Sequence, residues 1–125
     1  MATWTELSQE ALQAAKSLAG QGLWRSSINR SYYAAYCAVT SELVRRRVSF
    51  ARGWNNPAHE QVPDLIEHNL SLPRATRRRL KRIMRVLRRV REDADYRPAI
   101  VIERAHALDS LRMAAVVLKE MGVTI

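Results

Sequence analysis

Cysteine, glycine and proline are scarce in this chain of 125 residues, which holds one Cys, four Gly and four Pro. A lone cysteine excludes a disulfide framework within the chain and fits a reducing compartment. So little Gly and Pro leaves few places where a helix must stop. No apolar run approaches the ~18–20 residues needed to span a bilayer. The opening stretch, Met1 to Glu10, is polar and acidic where a secretion signal would be basic and then apolar. These absences lead to the expectation of a cytoplasmic protein without a membrane segment, folded as a single domain over residues 1–125. A Gly-rich phosphate loop, a paired-cysteine metal pattern and an H-E-x-x-H helix are also missing. His59, His68 and His106 lie far apart in sequence, and His59 and His106 read as surface or core residues, so neither a metal nor another cofactor is expected.

Acid is missing from one long segment. Between Arg74 and Arg91 stand ten basic residues (Arg74, Arg77, Arg78, Arg79, Lys81, Arg82, Arg85, Arg88, Arg89 and Arg91) and no Asp or Glu. Outside it, eleven basic residues meet twelve acidic ones, so the formal charge of +9 resides in this one stretch. A solvated helix normally interleaves signs, because like charges four apart repel by a few tenths of a kcal/mol each. A segment that accepts this cost repeatedly is suited to a polyanion or to acidic side chains of another protein. Nine of the ten are arginine, whose planar fork matches phosphate and carboxylate alike.

What is present is helical periodicity. Thr3 followed by Glu6 reads as a capping box opening a helix that ends near Gly20 or Gly22, with Leu7, Ala11, Ala14 or Ala15, and Leu18 facing inward. A second helix is predicted from Ser26 to Arg46, its stripe Ile28, Tyr32, Ala35, Val39 and Leu43 at three- and four-residue spacing. Cys37 beside it reads as a small buried hydrophobe. Asn56-Pro57 reads as an N-cap and first helical residue of a short third helix, which Pro63 shortens or kinks. The fourth begins near Pro73 and ends at Arg97-Pro98, with Leu80, Ile83, Leu87, Val90 and Ala94 as its apolar stripe. The last runs from Ile102 to Met121, closed by Gly122. The expectation is an all-α, five-helix, up-and-down bundle.

Two polar constellations stand out on this frame. Ser27, Asn29, Arg30 and Tyr33 group polar atoms on the second helix. Arg91 to Pro98 reads R-E-D-A-D-Y-R-P, with Arg91 and Asp95 four apart on one face. Its acids lie at a helix C-terminus, where the dipole disfavours them, so a compensating cation is expected.

Together these segments resemble the HEPN superfamily of small helical domains. Ser27-Ile28-Asn29-Arg30-Ser31-Tyr32-Tyr33-Ala34-Ala35-Tyr36 is similar to its second-helix pattern, and Arg91-Glu92-Asp93-Ala94-Asp95-Tyr96 to an Arg-x-x-Ala-Asp-Tyr signature of one of its branches. The resemblance implies a bundle that dimerises, with both helix ends in a shared cleft. It also implies membership of a toxin–antitoxin or defence pair, with a minimal nucleotidyltransferase as partner. Many members are metal-independent ribonucleases marked by an Arg followed after four to six residues by His. There the Arg stabilises charge on the phosphate and the His moves the proton of the 2′-hydroxyl. Here Tyr96 stands five residues after Arg91 and no His occurs before His106. A free Tyr, with a pKa near 10, is ionised only about one part in a thousand at pH 7. Arg52 and His59 have the required spacing, but among so many arginines about one such match arises by chance, and it falls in a loop.

The candidate assignments are therefore Arg91 and Tyr96 as catalytic residues, Asn29, Arg30, Tyr33 and Asp95 for an anion or nucleotide, and Arg78, Arg82, Arg85 and Arg89 for an RNA backbone. The leading reading is a dimeric HEPN-like protein that binds RNA or nucleotide through the basic helix. An active ribonuclease and a docking module for an acidic protein are the alternatives.

Overall fold

Thr3 caps the first helix, its side-chain oxygen accepting from the Glu6 backbone N–H at 3.1 Å. In the computed structural model, which describes all of residues 1–125, α1 spans Trp4–Gly20, α2 Trp24–Arg45, α3 Val62–Asn69, α4 Arg74–Tyr96 and α5 Arg104–Glu120. The capping box is only half formed, because the Glu6 carboxylate accepts from the Thr3 hydroxyl at 3.2 Å instead of reaching back to the backbone. There is no strand; two short 3-10 turns, Ala51–Gly53 and His59–Gln61, punctuate the long connection from α2 to α3. Gly22 and Gly122 follow α1 and α5 with φ of 75° and 74°, the left-handed geometry in which a Cβ is penalised.

The bundle is organised around α2, which packs against α1, α3, α4 and α5. Ile28, Tyr32, Ala35, Val39 and Leu43 are all buried, but so are Ala34, Tyr36, Cys37 and Ala38, so this helix is enclosed on most of its circumference. Small residues make this possible by letting neighbouring helices approach closely. On α4 the buried side chains are Leu80, Ile83, Met84, Leu87 and Ala94, with Val90 half-buried. The arginines occupy the rest of the cylinder. Burial pushes the Cys37 thiol up to about 11, the behaviour of an inert core residue.

α2 and α5 each start two residues from the expected position, at Trp24 and Arg104, and the start of α3 differs most. Asn56 and Pro57 do not open α3, whose first turn carries Pro63, four residues after the 3-10 turn His59–Gln61 begins. The Tyr36 hydroxyl takes both residues for itself: it donates to the Pro57 carbonyl oxygen at 2.6 Å and accepts from Asn56 Nδ2 at 2.9 Å. Pro63 thus starts a helix instead of kinking one, since an N–H in the first turn has no helical partner to lose.

Candidate nucleic-acid interface

The acidic end of α4 is compensated twice. Arg25, in the first turn of α2, donates to the carbonyl oxygens of Asp93, Ala94, Arg97, Pro98 and Ile100 and so caps the helix C-terminus. Each acid also finds a guanidinium on its own helix face: Arg88 to Glu92 at 3.1 Å, Arg91 to Asp95 at 2.8 Å and Arg97 to Asp93 at 2.8 Å.

The sequence-selected residues at this end converge. Asn29 Nδ2 donates to Asp95 at 2.8 Å, and Arg30 Nε donates to Asn29 Oδ1 at 3.0 Å. The Arg30 guanidinium lies 4.7 Å from the centre of the Tyr33 ring. Arg91 lies 5.5 Å from the Tyr96 ring and 5.9 Å from that of Tyr32. Asp95 therefore joins α2 to α4, its Oδ2 meeting both Arg91 Nε and Asn29 Nδ2. Tyr96 is 68% exposed. Ser27 does not belong here; it is buried against α1, donating to the Ala15 carbonyl oxygen at 2.8 Å.

The fold brings His59, expected only as a surface or core residue, to this neighbourhood. Its Nδ1 is 2.7 Å from the Tyr32 hydroxyl and its ring stacks on Tyr36 at 4.4 Å. Partial burial first, then the nearby Arg91 and Arg88, hold its pKa below the ordinary histidine value. Arg52 does not share this site: it packs 5.6 Å over the Trp54 ring. Tyr32, read only as a core residue, lines a pocket together with His59; burial pushes its hydroxyl well above the ordinary tyrosine range. Nothing in the local pattern around His59 reveals these neighbours, because Tyr32 and Arg91 come from other helices. No group of three or more His, Cys, Asp or Glu side chains comes together in a metal-binding arrangement.

Along the basic run, Lys81 pairs with Glu67, Arg88 with Glu92 and Arg91 with Asp95. No carboxylate lies within 4.0 Å of the other seven cations. Of these, Arg77 is turned inward to the Glu67 carbonyl oxygen at 3.1 Å. Arg78, Arg82, Arg85 and Arg89 share one flank of α4 and line a shallow groove of about 470 Å³ beside Lys81.

The central α2 is enclosed by the other helices, and its Asn29 is bonded to Asp95 of the basic α4. The HEPN domain family matches residues 1–123, and the chain belongs to that family. No curated protein and no solved structure is significantly similar to it. No helix is long and apolar enough to cross a membrane.

Proposed function

We propose that this HEPN-domain protein binds RNA or nucleotide through the exposed flank of α4, as a cytoplasmic member of a toxin–antitoxin or defence pair. The observation that carries this reading is the Arg78, Arg82, Arg85 and Arg89 stripe, which faces solvent without a carboxylate partner. Four guanidinium groups on one flank repel one another and are relieved by phosphates that release counterions on binding. Asn29, Arg30, Tyr33 and Asp95 form the anion or nucleotide subsite at the head of that track, with Arg91 and Tyr96 beside it. The chain acts as one domain and as a homodimer, the exposed Leu23, Tyr96, Ile100 and Val101 being apolar surface for a second copy to cover. A minimal nucleotidyltransferase is the protein partner. Gel-shift titration of single-stranded RNA against salt tests the reading. A steep negative log–log slope supports it, and absent binding at low salt or a flat slope removes it.

A second reading, metal-independent RNA cleavage, is favoured by His59. An imidazole kept neutral beside Arg88 and Arg91 is poised to take a proton next to cations that stabilise a phosphorane. Purified protein then cleaves RNA in EDTA, and both Arg91→Ala and His59→Ala abolish cleavage; retained cleavage in either removes that residue from the chemistry.

A further inference from the structure

Two depressions meet along α4. The outer groove carries the arginine stripe, and its one carboxylate, Glu67, is already bound to Lys81. The inner pocket, about 410 Å³, lies between α4 and the His59–Asp64 segment. That volume is within the roughly 300–1,000 Å³ range of small-ligand sites. Arg85 and Arg89 line both, so they form a common wall.

The chemistry changes across that wall. Three carboxylates, Glu60, Asp64 and Glu92, line the inner pocket. Glu92 is held by Arg88 at 3.1 Å, whereas Glu60 and Asp64 have no ion-pair or side-chain hydrogen-bond partner. Free carboxylates repel a phosphate and accept from N–H donors. Tyr32, His59, Pro63 and Met84 supply flat or apolar surface in the same pocket, which suits a planar ring. An uncharged planar ring with an amino group, attached to a phosphate chain on the Arg85–Arg89 side, satisfies both halves.

We propose that one unpaired nucleotide of a single-stranded RNA turns its base into this inner pocket, its exocyclic amine toward Glu60 and Asp64, while the flanking phosphates rest on Arg85 and Arg89. The inference rests on the RNA-binding reading above and adds a base preference to it. Arginine contacts to phosphate carry no sequence information, so any preference must come from such a pocket. Cytosine offers the amine, and uracil places a carbonyl oxygen at that position, toward which a carboxylate cannot bond.

The test compares labelled 12-mers of cytidine and of uridine by fluorescence anisotropy at several salt concentrations. The proposal expects the cytidine oligomer to bind about tenfold more tightly, the scale of one charge-assisted hydrogen bond. The double variant Glu60→Gln/Asp64→Asn, at two exposed positions that the core does not use, is expected to bring the ratio to about one with an unchanged salt slope. Equal wild-type affinities with a steep slope overturn the base pocket and leave the phosphate track standing, as does a preference that survives the double variant. Failure of both oligomers to bind at low salt overturns the track itself.

Discussion

The Arg25 guanidinium lies 3.0 Å from the Ala94 carbonyl oxygen, spanning the 69 residues between the start of α2 and the end of α4. With four further carbonyls in reach, this side chain fixes the connection on which Arg91, Asp95 and Tyr96 depend.

Arg25→Ala is expected to destabilise the fold by about 2–3 kcal/mol, because charged donors are lost and partly buried carbonyls are left without partners. Arg25→Lys recovers less than half, since one ammonium cannot reach the same spread of oxygens. Urea denaturation measures both; an Arg25→Ala variant as stable as the parent contradicts the capping role.

Tyr36→Phe removes the hydroxyl that holds Asn56 and Pro57. The expected loss is about 1–2 kcal/mol, with faster amide exchange confined to the connection between α2 and α3. Uniform acceleration across the bundle would instead mean that the hydroxyl serves the core as a whole.

His59 gives stability a pH dependence whose sign follows from its lowered pKa. As pH falls through the ordinary histidine value, the unfolded chain takes up the proton first, so stability is lost on acidification. Melting temperature should drop between pH 7 and pH 5 in the parent and drop less in His59→Gln. The lowered carboxyl pKa values of Glu42 and Glu67, caused by Arg45 and by Lys81, act in the same direction at lower pH. Equal drops in the two proteins would show that the imidazole is not held neutral by its surroundings.

Helix content and the ends of α1, α4 and α5 were legible because caps, Pro and 3–4 periodicity are local signals. Thr3, Pro98 and Gly122 act within a few residues of their own positions. The start of α3 was not legible, because Asn56-Pro57 is a sound helix opening that a tyrosine hydroxyl on another helix claims first. The joining of Asn29 to Asp95 follows the family motifs, and spacing alone does not reveal it. Arg25 and His59 escaped for the same reason: each is a single residue of ordinary context whose partners lie on other elements.

The unpaired and the paired arginines should separate in binding. Arg82→Gln removes a free cation and is expected to lower the salt slope for single-stranded RNA by about 0.7. Arg88→Gln removes one already bound to Glu92 and should change the slope less. Identical effects would mean that the internal ion pairs do not decide which cations meet phosphate.

Nuclear magnetic resonance of this 14.3 kDa chain reports whether RNA lies along one flank of α4. Titrating single-stranded RNA into labelled protein at low salt should shift the Nε–H signals of Arg78, Arg82, Arg85 and Arg89 first and most. Shifts that leave these four unchanged and gather elsewhere on the bundle would mean that RNA binds away from this flank.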